Sequence, residues 1–317
     1  MKILTSRLNL VTGGAGFIGS NIVDYLLKKN EKVICLDDFS SGNISNLLNA
    51  RSNPNFSFVK HDVRKSIDIS NIDNIWHFAA IASPYNYLRN PIETSSINFI
   101  GTSNMLELAR KNKAQFLFAS TSEIYGQVKD VSINEESLGT LKTFSPRSCY
   151  FESKRLAESL CFDYARKFNM SIKVVRIFNT YGPKMSLHDG RVVGNFINQC
   201  FNSKPLTIFG DGEQTRSFCY IADLVSGLIK IMESNLQGPV NLGNPNQITI
   251  KNLAEIISSK LNPNIDFDYK PKLIDEPKNR KPSIALIQKN IQWEPIVNIY
   301  DGLDLTINFL KNHSLHC

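Results

Sequence analysis

Val11-Thr12-Gly13-Gly14-Ala15-Gly16-Phe17-Ile18-Gly19-Ser20 is the stretch that decides the fold of this 317-residue chain. A strand-like run from Arg7 to Thr12 leads into it, and a helical pattern follows it. Its glycines Gly13, Gly16 and Gly19 permit a tight turn, a close approach of the backbone to a pyrophosphate and close packing of helix against strand. The positive end of the helix would then face the anion. The stretch therefore predicts a strand, a phosphate-binding turn and a helix that together bind a dinucleotide.

The first half of the chain alternates strand-like and helical patterns. Such alternation predicts parallel strands joined by right-handed helical crossovers. We therefore expect an α/β fold, a Rossmann-like doubly wound parallel sheet, in a dinucleotide-binding domain over residues 1–178. Residues 179–317 are expected to form mainly a smaller α/β substrate-binding lobe, from which one segment could return to the sheet. The predicted strands after the first are Lys32 to Leu36, Phe56 to Lys60, Ile75 to Ala80, Gln115 to Ser120 and Ile172 to Ile177.

Acidic and small residues follow the predicted strands. Asp37 ends the second strand, where a carboxylate accepts hydrogen bonds from both ribose hydroxyls of adenosine and repels a 2′-phosphate. This position favours NAD over NADP. Asp62, after the third strand, is placed to bond the adenine amine, although an aspartate there is also a common turn residue. Ala79 and Ala80, at the end of the fourth strand, are small enough for the backbone to pass against the cofactor.

The composition is that of an ordinary globular protein, with 42% hydrophobic and 21% charged residues. The net charge of +7 comes from scattered basic residues, so we expect no nucleic-acid partner, and an anionic small substrate explains the surplus equally well. The sequence shows neither a signal peptide nor a membrane span, which predicts a cytoplasmic protein that does not bind membranes. The six cysteines lack metal-site spacing, so we expect reduced thiols and no metal.

Two segments supply candidate catalytic residues. The fifth strand runs into Thr121, Ser122 and Glu123 at the edge where open α/β sheets bind ligands. Tyr150 and Lys154 are four positions apart, so they share a face if their segment is helical. A free tyrosine is a poor base at neutral pH, but an adjacent ammonium and a nicotinamide cation favour the phenolate. We therefore expect Lys154 to lower the pKa of Tyr150, which then takes a proton from a sugar hydroxyl as hydride leaves.

Taken together, these segments resemble the extended short-chain dehydrogenase/reductase family, whose members modify nucleotide sugars with bound NAD. The likeness covers nearly the whole chain. The resemblance implies NAD as the cofactor, a UDP-sugar as the substrate and a homodimer formed through the helix from Tyr150 to about Phe168. The apolar stripe of that helix, with Leu156, Leu160 and Tyr164, could equally be buried against the sheet. It rests on the glycine-rich turn and on segments 82–91, 120–126, 176–183, 189–193, 209–220, 239–245 and 280–282.

The resemblance also assigns roles to individual positions. The implied catalytic residues are Thr121, Ser122, Glu123, Tyr150, Lys154 and Arg280, the last as the arginine that meets the substrate carboxylate. The implied cofactor-binding residues are Gly13, Gly16, Phe17, Ile18, Gly19, Asp37, Asp62, Ala79, Ala80, Tyr150 and Lys154. The implied substrate-binding residues are Tyr87, Asn179, Arg191, Val192, Arg216, Tyr220 and Arg280.

Within the family, the chain is most similar to the enzymes that decarboxylate UDP-glucuronate. Those enzymes usually carry Tyr-Asp-Glu-Gly-Lys on the catalytic helix, whereas this chain has Phe151 and Ser153 at the second and fourth positions. Residues beside the catalytic tyrosine are expected to shape the sugar pocket. The alternatives are a nucleotide-sugar 4,6-dehydratase, a 4-epimerase, and a non-catalytic NAD-binding scaffold. Segment 263–282, polar and rich in Lys and Pro, is a candidate lid that would bring Arg280 to the sugar.

Overall fold

The centre of the protein is a seven-stranded parallel sheet. The computed structural model describes residues 6–129, 131–272 and 280–314. The strands there are β1 Leu8–Thr12, β2 Lys32–Asp37, β3 Phe56–Lys60, β4 Asn74–His77, β5 Gln115–Thr121, β6 Ile172–Ile177, β7 Thr180–Tyr181, β8 Leu206–Phe209, β9 Thr215–Ser217, β10 Cys219–Tyr220, β11 Val240–Leu242, β12 Gln247–Thr249 and β13 Phe267–Lys270. The sheet order is β11-β6-β5-β4-β1-β2-β3, which is a doubly wound order that reverses between β1 and β4. The predicted fold class is therefore confirmed.

Helices connect the strands and cover both faces of the sheet. They are α1 Phe17–Lys28, α2 Leu48–Arg51, α3 Pro84–Arg89, α4 Pro91–Ser96, α5 Thr102–Asn112, α6 Ser148–Phe168, α7 Val192–Phe201, α8 Ile221–Glu233, α9 Ile250–Leu261, α10 Ala285–Ile291 and α11 Ile299–Ser314. A π-helical turn, Ile97–Gly101, joins α4 to α5, and 3-10 turns span Ile44–Leu47 and Ser122–Tyr125. The predicted catalytic helix is α6.

Each face of the sheet has its own apolar core. On one face, Val23 and Leu26 of α1 share a buried cluster with Leu224 and Leu228 of α8. On the other face, α5 and α6 bury Met105 and Ala157 against the sheet. These side chains recur at helical spacing, so each helix has one apolar face that is buried away from water. A strand from beyond residue 178, β11, pairs with β6 and extends the sheet on that side.

The carboxyl ends of the parallel strands meet along one edge. There β1 runs into Gly13, β2 ends at Asp37 and β5 ends at Thr121. The fourth strand ends earlier than predicted, at His77, because the backbone then turns past the glycine-rich segment. Phe78 N donates to the Thr12 carbonyl, and Ala79 N donates to the Thr12 hydroxyl at 3.3 Å. This edge therefore brings the predicted site residues together.

Candidate active site

A cavity of about 1430 Å³ lies along the carboxyl edge of the sheet. All but one of the predicted site residues line it, although they come from segments far apart in the chain. They are Gly13, Gly16, Phe17, Ile18, Gly19, Asp37, Asp62, Ala79, Ala80, Tyr87, Thr121, Ser122, Glu123, Tyr150, Lys154, Asn179, Arg191, Val192, Arg216 and Arg280. This volume exceeds the roughly 300–1,000 Å³ of a single small-molecule site, so the cavity has room for a cofactor and a second ligand.

Tyr220 is the exception. Its side chain is buried, and its ring packs edge-on against Tyr181 with centroids 5.7 Å apart. Tyr220 therefore does not line the cavity, which corrects the expectation that it binds the substrate. Tyr220 immediately precedes α8, and its ring points into the core instead.

The glycine-rich turn fits the pyrophosphate of a dinucleotide. Gly13 has a φ of +66°, and a Cβ at this position would lie 2.8 Å from Ala79 N, so the turn leaves no space for a side chain. A Cβ at Gly19 would overlap the Gly13 carbonyl oxygen. Gly16 stands at the amino end of α1, and it lines the cavity with Phe17, Ile18 and Gly19 of the first turn, whose backbone N–H groups would suit an anion.

Asp37 fits the adenosine ribose. Its side chain is only 7% exposed and lines the cavity beside the glycine-rich turn. Its carboxylate accepts hydrogen bonds from Ala15 N at 2.9 Å and Phe39 N at 2.8 Å, which fix its orientation. Burial raises the pKa of Asp37, while these two N–H groups work in the opposite direction. Turn and carboxylate together would hold NAD, with the carboxylate at the ribose and the glycines at the pyrophosphate.

Asp62 already has a partner within the chain. Its carboxylate accepts from the Arg64 guanidinium at 2.7 Å, and this hydrogen bond lowers the pKa of Asp62. The carboxylate still lines the cavity. Its contact with the adenine amine stays a prediction.

Tyr150 and Lys154 face the cavity from α6, one turn apart. Burial raises the pKa of Tyr150 to about 12, and a hydrogen bond with Thr121 acts against this rise. Burial lowers the pKa of Lys154 to about 8. The Lys154 ammonium donates to the Ala119 carbonyl at 2.8 Å. Burial thus dominates the pKa of both side chains among the protein's own groups, and the lowering of the Tyr150 pKa by the ammonium together with a nicotinamide cation stays a prediction.

Glu123 lies between two guanidinium groups. Its Oε2 accepts from Arg147 Nη2 at 2.6 Å and is 3.5 Å from Arg280 Nη2. Arg280 is 5% exposed and donates its Nη1 to the Ser122 carbonyl at 2.5 Å. Burial works to raise the pKa of Glu123, but Arg280, Arg147 and Arg216 outweigh it, so that pKa is lowered. The carboxylate is thus held ionised among positive charges.

Sequence reasoning missed Arg147. Besides the ion pair with Glu123, its Nε donates to the Tyr87 hydroxyl at 2.9 Å. The Tyr87 ring in turn stacks on Tyr150, with centroids 5.2 Å apart. The only sequence signal was its place three residues before Tyr150, which puts it at the start of the catalytic helix.

A β-bridge holds the segment that carries Arg280. Ile133 N donates to the Lys281 carbonyl at 2.8 Å, and Ser283 N donates to the Ile133 carbonyl at 2.7 Å. Asn241 Nδ2 also donates to the Ile133 carbonyl, at 2.9 Å. Residues 273–279 of the predicted lid lie outside the described residues. Arg280 itself is already at the site.

Phe151 and Ser153, which depart from the decarboxylase pattern, do not line the main cavity. Phe151 is buried and lines a separate cavity of about 80 Å³ behind Glu123 and Arg280. Ser153 is buried too, and its hydroxyl accepts from Asn98 Nδ2 at 2.9 Å and donates to the Cys149 carbonyl. An influence of these two positions on the sugar pocket therefore stays a prediction, which for Phe151 would act through its contact with the cavity beside Glu123 and Arg280.

Positive side chains dominate the remaining wall. Arg216 is 7% exposed on β9, and Arg191 stands before α7 with its Nε 3.4 Å from Asp189. Both line the cavity together with Asn179 and Val192. Guanidinium groups give paired donors to phosphate and carboxylate oxygens. This wall therefore suits a ligand with several negative charges.

The described residues include no helix that is both long and apolar enough to cross a bilayer. The cysteines at positions 35, 149, 161, 200 and 219 are free thiols.

Two known proteins that match nearly the whole chain carry the same name. The chain is 43% identical over 307 residues to UDP-glucuronic acid decarboxylase 1 of Arabidopsis thaliana, covering 97% of this chain and 70% of that protein. It is 42% identical to UDP-glucuronic acid decarboxylase 1 of Danio rerio, covering 97% of this chain and 73% of that protein.

Solved structures share the fold. UDP-glucose 4-epimerase of Thermotoga maritima, solved with UDP-glucose, superposes with a TM-score of 0.89 at 28% identity, covering 98% of this chain and all of that one. UDP-glucuronic acid 4-epimerase of Bacillus cereus, solved with UDP-glucuronic acid and NAD, gives 0.87 at 30% identity, covering 96% and 99%. Residues 9–243 match the NAD-dependent epimerase/dehydratase family. The chain belongs to this family, within the extended short-chain dehydrogenases/reductases, and its cofactor is NAD.

Proposed function

We propose that the protein converts UDP-glucuronate into UDP-xylose and carbon dioxide while NAD stays bound. The observation that carries the proposal is the meeting of Glu123 and Arg280 beside Tyr150 in one cavity. Tyr150 and Lys154 serve an oxidation, whereas a buried arginine suits a substrate carboxylate. The similarity to two UDP-glucuronic acid decarboxylases supports the same conclusion.

Oxidation at C4 prepares the sugar for loss of its carboxylate. Tyr150 takes the proton of the C4 hydroxyl, and Thr121, its hydrogen-bond partner, holds that oxygen with Ser122. NAD, when bound, would accept the hydride from C4 and later return it. The oxidised sugar is a β-keto acid, so the C5 carboxylate can leave as carbon dioxide while its electrons flow into the C4 carbonyl. Arg280 holds the carboxylate, and Glu123 lies beside it for the proton at C5.

The decisive experiment identifies the product. Purified protein mixed with UDP-glucuronate is expected to release carbon dioxide and a UDP-pentose in equal amounts. Tyr150→Phe is expected to keep NAD and lose turnover, which serves as the matched control. UDP-glucuronate that remains intact after long incubation with added NAD would contradict the proposal.

A second candidate is a 4-epimerase, favoured by the structural similarity to the Bacillus cereus enzyme. Its product would be the C4 epimer with the carboxylate still present. A 4,6-dehydratase would instead give a 4-keto-6-deoxy sugar. A non-catalytic scaffold has no need for the aligned Thr121, Tyr150 and Lys154, and it would leave every UDP-, dTDP- and GDP-sugar unchanged.

We also infer a homodimer formed through α6 and the π-helical turn. Leu156 on α6 and Phe99 and Ile100 on the turn are exposed apolar side chains, and an exposed apolar patch is typical of an interface. Leu156→Glu is expected to give monomers in sedimentation, whereas Leu305→Glu, at an equally exposed leucine on α11, should leave the dimer intact. A dimer in both variants would contradict this assignment. The cytoplasmic location stays a prediction.

A further inference from the structure

Glu123 occupies a position that suits the carboxylate of a substrate. Its Oε2 receives the Arg147 guanidinium at 2.6 Å, and the Arg280 guanidinium lies 3.5 Å away. Arg147 and Arg280 both line the main cavity, as does Glu123. Paired guanidinium groups at such distances are typical of sites that bind carboxylates. The protein therefore has one carboxylate of its own in a site built for such groups.

The surroundings of Glu123 determine its response to a second negative charge. Three arginines surround it. Arg147 precedes α6, Arg216 lies on β9, and Arg280 lies two residues before Pro282, which forms the bridge with Ile133. Tyr150 and Tyr87 are the titratable hydroxyls nearby, and burial raises the pKa of each to about 12. The ionised state of Glu123 thus depends on the three arginines, against the effect of burial.

The proposed reaction consumes one proton. The carboxylate at C5 departs as neutral carbon dioxide, and a C–H bond takes its place. No other group leaves, so each turnover must bring one proton from solvent to C5. The reaction itself does not fix when this proton enters.

We propose that Glu123 takes up this proton when the sugar carboxylate binds beside Arg147 and Arg280, and that Glu123 delivers it to C5 after carbon dioxide has left. The inference rests on the proposed function. Two carboxylates that share a site cannot both remain ionised easily, so the incoming one raises the pKa of the other. Loss of carbon dioxide then moves the second charge from the carboxylate to the C4 oxygen beside Tyr150, so the pKa of Glu123 falls again and Glu123 becomes a stronger acid.

The electrons and atoms of the delivery step balance. The C5–carboxyl bond breaks, its electron pair forms the C4–C5 double bond, and the C4 oxygen becomes an enolate. The Glu123 O–H bond then breaks, its proton bonds to C5 with the enolate electrons, and the C4 ketone is restored. Glu123 returns to the carboxylate that Arg147 and Arg280 hold in the structure.

Calorimetry can count the proton directly. UDP-glucuronate is titrated into the NAD-loaded Tyr150→Phe protein, which binds the sugar without turning it over. The measurement is repeated in buffers with different heats of ionisation, from about pH 5.5 to about pH 7.5. We expect uptake of up to roughly one proton per bound sugar. UDP-glucose, which lacks the carboxylate, should give almost none.

Glu123→Gln combined with Tyr150→Phe supplies the matched control, since the amide keeps the shape and cannot take a proton. Its uptake with UDP-glucuronate should fall to the level seen with UDP-glucose. Infrared difference spectra give a second measurement, in which a protonated carboxyl band should appear on binding and be missing from the Gln variant. Equal uptake with and without Glu123, or no uptake at any pH, would overturn the inference.

The same measurements separate this inference from the proposed function. Normal release of carbon dioxide by the unsubstituted enzyme without proton uptake in the Tyr150→Phe protein would refute the inference alone. Absence of carbon dioxide release would refute the proposed function. Arg147→Met is expected to weaken binding of UDP-glucuronate at least tenfold while changing that of UDP-glucose little, and equal losses for both ligands would remove Arg147 from the carboxylate site.

Discussion

The rings of Tyr87 and Tyr150 lie face to face, with centroids 5.2 Å apart and planes within 5° of parallel. The hydroxyl of Tyr87 is held by Arg147, so the catalytic tyrosine packs against a ring that is itself fixed in place. Tyr87 is 1% exposed and Tyr150 is 7% exposed. A base must be oriented before its proton transfer can be efficient.

Removal of this ring should therefore slow turnover. Aromatic pairs contribute about 0.5–1.5 kcal/mol beyond their buried area, so Tyr87→Leu is expected to lower kcat roughly 2- to 12-fold. Tyr87→Phe keeps the stacked ring and should lose less. The check is kcat with UDP-glucuronate for both variants. Equal kcat values for the Leu variant and the unsubstituted enzyme would contradict the orienting role.

Lys154 should set the alkaline limit of the reaction. Its pKa of about 8 means that the ammonium is present below that pH and is lost as the pH rises through it. The ammonium favours the Tyr150 phenolate, so turnover is expected to decline above about pH 8. Lys154→Arg keeps its charge throughout this range, so its residual activity should show no such decline. The same alkaline limb in both proteins would assign it to another group.

The glycines of the phosphate-binding turn should respond differently to alanine. A Cβ at Gly19 overlaps the Gly13 carbonyl, so Gly19→Ala is expected to destabilise the fold by about 1–3 kcal/mol. A Cβ at Gly16 lies 3.1 Å from the same oxygen, which is a tight contact that small shifts relieve. Gly16→Ala should therefore fold but bind NAD weakly, because its methyl group intrudes where the pyrophosphate approaches.

Thermal unfolding with and without added NAD measures both effects. Bound NAD should raise the Tm of the unsubstituted protein freed of cofactor, and this rise should be small for Gly16→Ala. Equal stability of the two variants would show that the turn adapts to a side chain at Gly19.

Asn241 should link stability to the position of Arg280. It is fully buried, its Oδ1 accepts from the Tyr125 hydroxyl at 2.6 Å, and its Nδ2 donates to the Ile133 carbonyl. Asn241→Ala leaves both partners without this bond, so the free energy of unfolding should fall by about 2–4 kcal/mol. Turnover should fall more than NAD affinity, because the Ile133 bridge supports the Arg280 segment.

Denaturant unfolding and NAD binding test this together. Asn290→Ala is the control, since Asn290 is exposed on α10 and bonds to the carbonyl of Leu286 in its own helix. Asn241→Ala with unchanged turnover would show that Arg280 is held without this support.

Short sequence patterns were sufficient to predict the cofactor-binding part of the site. The glycine spacing, the carboxylate at the end of β2 and the alternation of strands predicted the sheet and its NAD-binding edge. Tyr150 and Lys154 could be paired from spacing alone, because helical geometry places residues four apart on one face. Each of these signals is a short local pattern, so backbone geometry within one strand, turn or helix decides it.

The carboxylate site depended on the tertiary structure. Arg147, Glu123 and Arg280 come from three separate segments, and only folding brings both guanidinium groups within 4 Å of the Glu123 carboxylate. The direction of a side chain decided the rest: Tyr220 packs into the core, and Phe151 lines the smaller cavity beside Glu123. Burial, which the sequence does not show, also raises the pKa of Tyr150. The sequence by itself determined which backbone elements form, whereas the charges and side chains that share a desolvated space were decided by long-range packing.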